Sequence, residues 1–295
     1  MSVIRLSQPH TEITVGRATL RFYHGDCVEV LRQLPPRSLD AIVTSPPYNL
    51  GIDYRTYDDT LPRGEYLAWT GEWVAAASAA LAEQGSLFLN VGAKPTDPWT
   101  ALDVAQAVRP HLRLQNLIHW IKSIAIEKAA AGARARLDHD LAVGHYKPIN
   151  SPRFVNECHE FVFHFTPHGT TPLDRQAIGV PYQDKSNIGR WRAASSDRRC
   201  RGNTWFIPYE TIQNRDTDRP HPATFPPRLP EYCLKLHGLE RVRLVADPFL
   251  GLGSTAVACA ALGVDFVGIE IDEHYLGEAI ARVRKLAQAP ARRDA

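Results

Sequence analysis

The apolar positions along this chain follow two rhythms. Short apolar runs, each stopped by Gly, Pro or a polar cluster, alternate with longer stretches whose apolar residues recur at helical spacing. ATLRFY before Gly25, LDAIVT (39–44) before Ser-Pro-Pro, SLFLNVG (86–92) and LRLQNLIHWI (112–121) read as strands. Residues 63–83, Ala-rich and followed by Gly85 as a stop, and residues 97–109 read as helices. After residue 220 the same alternation returns. There 228–237 reads as a helix, RLVADPF (243–249) as a strand, 254–262 as a small-residue helix and VDFVGIEI (264–271) as a strand. Residues 274–289 read as a helix with Lys and Arg near its end, where the helix dipole favours cations. Strands alternating with helices predict an α/β fold, a mostly parallel sheet with helices on both faces.

Between 122 and 220 the rhythm weakens and Pro, Gly, Asn, Arg and His rise, although FVNECHEFVFHF (154–165) still reads as a strand. Irregular stretches of this length inside a domain are usually functional or disordered. The expected organisation is therefore one α/β core built from 1–121 and 221–295, with 122–220 as a separate region. The 295 residues suffice for a sizeable core, and 44% hydrophobic with 22% charged residues is a globular composition. A net charge of +2 hides a local cluster. Lys185, Arg190, Arg192, Arg198, Arg199 and Arg201 face one acid, Asp197, within 185–201.

No apolar run approaches the ~18 residues of a membrane span, and the opening MSVIRLSQPHTEITV lacks the apolar stretch of a signal peptide. The five cysteines lie far apart without a CxxC, which argues for reduced thiols in a cytoplasmic protein and against a disulfide framework or zinc site. His139, His145, His159 and His164 match no metal-ligand spacing, so no metal is expected.

Two constellations carry chemistry. The first is DPFLGLGST (247–255) between a strand and a helix. Gly251 and Gly253 allow a tight turn and close approach of a ligand, and the helix start offers free N–H groups. The next strand ends at Glu270, 19 residues after Gly251, where an acid can bind ribose hydroxyls. A third glycine and a GKS or GKT are missing, which disfavours a dinucleotide fingerprint and a P-loop. The second is TSPPYN (44–49) at the end of a buried strand. Two prolines remove backbone donors and fix φ, so the carbonyls of Ser45 and Pro46 cannot continue into a helix. Tyr48 adds a flat face with a polar tip. Such a site suits a planar group bearing an amine.

Here the sequence resembles the DNA amino-methyltransferases. Ser45-Pro46-Pro47-Tyr48 is similar to their catalytic motif, and DPFLGLG to their S-adenosylmethionine loop. VGIE (267–270), with Tyr275 and Ala279, resembles their next motif. HPATFPPRL (221–229), which contains Phe225, resembles the segment around the methionine part of the cofactor, and Gly25-Asp26 the acidic site at its adenine. The order, catalytic motif first and cofactor loop last, is that of the β class. The resemblance implies a circularly permuted Rossmann-like methyltransferase fold. It implies a cofactor site drawn from Asp26, Phe225, Asp247, Phe249, Gly251, Gly253, Ser254, Thr255 and Glu270. It also makes 122–220 a target-recognition region, in which Lys122, Arg153 and the basic cluster contact DNA, interleaved with Tyr182, Trp191, Trp205 and Tyr209.

The reaction implied is methyl transfer from a sulfonium to the exocyclic nitrogen of a base flipped from duplex DNA, without a covalent enzyme intermediate. In the resembling family, Ser at the first motif position usually accompanies N4-cytosine and Asp or Asn N6-adenine. A serine hydroxyl that donates as well as accepts also suits cytosine's ring N3. N4-cytosine is the expectation and N6-adenine the alternative. An RNA or protein methyltransferase, a non-catalytic DNA-binding module and another nucleotide-dependent α/β enzyme stand further back. A homodimer and a cognate restriction endonuclease are further expectations of the resemblance, as is a place at the bacterial nucleoid.

Overall fold

The computed structural model describes residues 8–132, 135, 137–144, 151–190, 196–208 and 224–288. Eleven strands and seven α-helices follow one another in these residues. The first part of the chain forms β1 (Thr11–Val15), β2 (Ala18–His24), α1 (Cys27–Gln33), β3 (Leu39–Thr44), α2 (Arg63–Ala80), β4 (Leu81–Val91), α3 (Trp99–Val108) and β5 (Arg113–Ile121). The middle forms β6 (Ile124–Ile126), α4 (Lys128–Ala131), β7 (Leu141–Val143), β8 (His159–Thr166) and β9 (Thr204–Phe206). The last part forms α5 (Arg228–His237), β10 (Leu244–Asp247), α6 (Ser254–Leu262), β11 (Asp265–Glu270) and α7 (Glu273–Gln288).

Nine strands make one sheet in the order β1-β2-β11-β10-β3-β4-β8-β5-β9, and β6 pairs with β7 as a separate hairpin. The run β2, β11, β10, β3, β4 is parallel throughout. The decisive junction is β3 against β10, with Ala41 opposite Val245 and Ile42 opposite Ala246. Residues about two hundred positions apart thereby end side by side, and the turns that follow both strands leave the sheet at the same edge. In open α/β sheets that carboxyl edge is where ligands bind.

Alternation along the strands explains the layers. Ala41, Val43 and Phe88 face a core shared with α5, α6 and α7. Ile42, Leu87 and Leu89 face a core shared with α1, α2 and α3. On α2, Tyr66, Thr70, Trp73, Val74 and Ala77 recur at helical spacing and are buried.

The helices expected at 228–237 and 254–262 form over those residues. Three departures from the pattern reading have physical causes. First, α2 stops at Ala80 rather than near Gly85, because Leu81 already pairs with Leu39 and opens β4. Gly85 sits in the bulge that follows, where a Cβ would stand 2.7 Å from Leu81 Cγ. Second, the strand expected over 154–165 starts at His159 and runs antiparallel to both β4 and β5. The middle section thus supplies β8 and β9 to the main sheet. Third, the edge strand β1 escapes apolar counting because its outward positions are polar and exposed.

Candidate active site

Strand β3 delivers Thr44 buried and Ser45 half-buried at its end. The Pro46-Pro47 step then turns the chain, and the Tyr66 hydroxyl on α2 donates to the Pro47 carbonyl at 2.8 Å. Asn49 takes a left-handed φ of 58°. The turn is closed by Asp59, which is 2% exposed. Its carboxylate accepts the backbone N–H groups of Asn49, Leu50 and Ile52 at 2.8, 2.9 and 3.0 Å.

Tyr48 folds back so that its hydroxyl lies 2.6 Å from Ser45 Oγ. Asn90, at the end of β4, donates from Nδ2 to that phenol at 2.7 Å and to Glu160 Oε2 at 2.6 Å. The phenol in turn donates to Glu160 Oε2 at 3.2 Å, and Lys122 Nζ donates to Oε1 at 2.8 Å. Burial, with the Glu160 charge behind it, holds the Tyr48 phenol well above its usual range, so it stays protonated.

Across the β3–β10 junction lies the glycine loop. Asp247 is 1% exposed and accepts from Thr44 Oγ1 at 2.6 Å, Thr255 Oγ1 at 2.7 Å and Phe249 N at 3.1 Å. Burial pushes its carboxyl up to about 7. Thr255 Oγ1 also lies 3.2 Å from the Val43 carbonyl oxygen. Gly253 is the N-cap of α6 with φ 73°, and a Cβ there would stand 3.0 Å from Ala279 Cβ. Asp247, Gly253 and Thr255 therefore clamp the loop to β3 and to α7, and they do not line the cavity beside it.

That cavity is lined by Asp26, Phe225, Phe249, Gly251, Ser254 and Glu270, all expected there, together with Ser45, Pro46, Pro47 and Tyr48. Glu270 accepts the Gly251 N–H on Oε2 at 2.8 Å and the Asp272 N–H on Oε1 at 3.0 Å. Burial raises its carboxyl above the usual range. Asp26 caps α1 through Oδ1, which accepts from Val28 N at 2.8 Å and Glu29 N at 3.1 Å. Phe249 stacks edge-on against Trp69 and Trp73.

The motif reading missed a strap from the 49–62 loop. Tyr54, Thr56 and Tyr57 form part of the wall, and Thr56 Oγ1 donates to Asp272 at 3.3 Å with Arg55 at 3.7 Å. Among the described residues the lining holds three carboxylates, Asp26, Glu270 and Asp272, and no Lys or Arg. Asn90 and Glu160 were also missed. A polar residue inside the apolar run SLFLNVG was the available signal for Asn90.

The residues expected on DNA divide. Lys122 points toward the Ser-Pro-Pro-Tyr turn through its bond to Glu160, and its Nζ lies 5.8 Å from the Trp120 ring centre. Arg201 is tied inward, donating to the Ile178 carbonyl at 2.9 Å and lying over the Tyr232 ring. Lys185 pairs with Asp197 at 2.5 Å, and Arg198 donates to the Gln176 carbonyl at 3.2 Å. Arg153, Arg190 and Arg199 are exposed. Trp205 is buried against Tyr232 and belongs to the core, while Tyr182 is half-buried. Arg192, Trp191, Tyr209, His145 and residues 221–223 lie outside the described residues. His164 is buried between Ser86 and Asn116. Among the described residues no group of three or more His, Cys, Asp or Glu is placed to hold a metal ion, and no helix is long and apolar enough to cross a membrane.

A permuted, mostly parallel α/β sheet, with an aromatic and acidic cavity opening on Ser-Pro-Pro-Tyr at its carboxyl edge, defines a protein of the methyltransferase class. The family model described as DNA methylase, covering N6 and N4 enzymes, matches residues 39–281, and the chain belongs to that family. The Type II methyltransferase M.ScaI of Streptomyces caespitosus is 28% identical over 274 residues, 90% of this chain and 82% of that protein. M.HpaI of Haemophilus parainfluenzae is 27% identical over 266 residues, 89% and 74% of the two chains. In fold, the chain matches the PvuII DNA methyltransferase (cytosine-N4-specific) with a TM-score of 0.61 at 14% identity, over 97% of this chain and 91% of that one. It also matches a putative DNA modification methylase of Thermus thermophilus, complexed with S-adenosyl-L-methionine, with a TM-score of 0.56 at 22% identity, over 92% and 95%.

Proposed function

We propose that this DNA methyltransferase uses S-adenosylmethionine and methylates the exocyclic N4 of cytosine. The observation that carries the reading is the continuity of one cavity from Asp26 and Glu270 to Ser45 and Tyr48. Its described lining has carboxylates and aromatic rings but no cationic side chain. That suits a positively charged, phosphate-free nucleoside and disfavours a nucleotide bearing phosphates. Bound there, S-adenosylmethionine supplies an electrophilic methyl on a sulfonium.

Glu270 spends one lone pair of each oxygen on backbone N–H groups and keeps the others for ribose hydroxyls. Both cap bonds of Asp26 fall on Oδ1, so Oδ2 is outside the cap and available to an adenine amino group. Phe225, Phe249, Gly251 and Ser254 complete the cofactor wall.

At the other end, Ser45 Oγ and the Pro46 carbonyl accept the two amino hydrogens of the target, and Tyr48 stacks on its ring. An exocyclic amine is a poor nucleophile because its lone pair is delocalised, so holding it in line is the main catalytic task. The flipped base costs about a few kcal/mol to unstack. Cytosine is supported by Ser45 at the first motif position. The section 122–220 is read as the target-recognition region, with Arg153, Arg190 and Arg199 offered to DNA. A homodimer and a cognate restriction endonuclease belong to the same reading, the latter supported by relatives named Type II methyltransferases.

Incubation with methyl-labelled S-adenosylmethionine and unmethylated duplex DNA tests the reading. The expected result is label in the DNA. Bound cofactor with no label in DNA contradicts it.

A further inference from the structure

Strand β8 comes from the middle section, yet it brings Glu160 to the catalytic turn. Its antiparallel register puts Phe161 opposite Val91 of β4 and Glu160 opposite Trp120 of β5. Gly92 makes the meeting possible. A Cβ there would stand 3.1 Å from Tyr48 Cε2 and 3.2 Å from Glu160 Cγ.

Counting hydrogens gives the contacts a direction. A carboxylate only accepts, and a phenol has one hydrogen. Tyr48 gives that hydrogen to Glu160 at 3.2 Å. The 2.6 Å contact between Tyr48 and Ser45 is then a donation from Ser45. Asn90 has two amide hydrogens, and its two short contacts, 2.6 Å to Glu160 and 2.7 Å to Tyr48, use both. Its 3.4 Å approach to Ser45 Oγ is left without one. The phenol oxygen accepts twice and is full. Ser45 has spent its single hydrogen inward, and what remains toward the cavity is acceptor capacity.

We propose that Glu160 is a positioning residue that fixes the Ser45 hydroxyl as a hydrogen-bond acceptor for the amino group of the target base. The proposal rests on the methyl-transfer reading above. An unfixed serine would turn its hydrogen toward the base for part of the time and push the amino group away. The relay also revises the ground for choosing cytosine. With its hydrogen committed, Ser45 does not donate to the ring N3 of the target.

The test is Glu160→Gln and Tyr48→Phe, singly and combined, with kcat for DNA methylation, the cofactor Kd and thermal melting measured on each. Glu160→Gln exchanges the acceptor for a group that also donates, and Tyr48→Phe cuts the chain while keeping the ring. Each single variant is expected to lower kcat by roughly ten- to a hundredfold. Cofactor Kd should stay within about twofold, because both changes act on the methyl acceptor. The double variant should be no slower than the slower single one, because both interrupt one chain. Folded Tyr48→Phe with wild-type kcat overturns the proposal, as do losses that multiply in the double variant. If Glu160→Gln does not fold, Tyr48→Phe decides alone. Wild-type protein that labels no DNA removes the methyl-transfer reading and the relay together. Active wild type with equally active variants removes only the relay.

Discussion

The carboxyl edge of the sheet and the basic stretch 185–201 are built on opposite principles. At the edge, residues from β3, β4, β8, β10 and β11 meet through buried or half-buried bonds that span large sequence distances, such as Thr44 to Asp247 and Asn90 to Glu160. Among the described residues of the basic stretch, Lys185 pairs with Asp197 and Ser186 N with Asp184 locally and in exposed positions, while Arg201 at its end is tied inward to the Ile178 carbonyl. Chemistry that depends on sub-ångström placement is set on rigid strand ends. Phosphate contacts tolerate looser placement because they act mainly through charge. Substitutions at the edge should therefore act steeply and specifically, and substitutions in the stretch gradually and in proportion to salt.

The largest expected effect is at Ser45. Ser45→Ala should lower turnover by roughly a hundred- to a thousandfold, since it removes one preorganised acceptor. Calorimetric titration should find cofactor affinity unchanged, and a turnover near wild type would remove Ser45 from the chemistry. Next comes Glu270→Ala. It should weaken cofactor binding by roughly tenfold or more through the lost charge-assisted bonds, and it should free the Gly251 N–H that orders the loop. Unchanged Kd would break the assignment of the cofactor to that wall.

A smaller effect concerns stability. The Asp247 carboxyl is raised from 3.8 to about 7 by burial, so the folded state holds its proton where the unfolded state has lost it. Its contribution is most favourable below the unfolded value and declines as pH rises between the two, the reverse of an ion-paired acid. Melting curves should show wild type losing stability relative to Asp247→Asn from about pH 4 to about pH 7. A pH-independent difference contradicts this. The smallest effects belong to Arg190→Ala and Arg199→Ala. Each should reduce the slope of log affinity against log salt by about 0.9 if it meets one phosphate. An unaltered slope in both would place the DNA surface elsewhere.

The same contrast explains what could be read from the residues. Local signals are legible when the physics is local. The strand LDAIVT, the helices at 228–237 and 254–262, and the placing of Glu270 beside the glycine loop all follow from periodicity, turns and spacing. The Asp247 motif was legible, but its place was not. In sequence it reads as a ligand-facing acid, whereas Thr44, 203 positions away, draws it into the junction between β3 and β10. Glu160 was hidden for a related reason. Nothing in ECHEFVF shows that the strand inserts antiparallel between β4 and β5, which is what aims Glu160 at Tyr48. Lys122 and Arg201 read as DNA contacts because their partners, Glu160 and the Ile178 carbonyl, are adjacent only in the fold.

The most direct measurement is mass spectrometry of nucleosides from unmethylated duplex DNA after reaction with trideuteromethyl S-adenosylmethionine, for wild type and Ser45→Ala. The account predicts trideuteromethyl N4-methylcytosine from the wild type and almost none from the variant. Label on adenine N6, label on a ring carbon, or equal product from both proteins would contradict it.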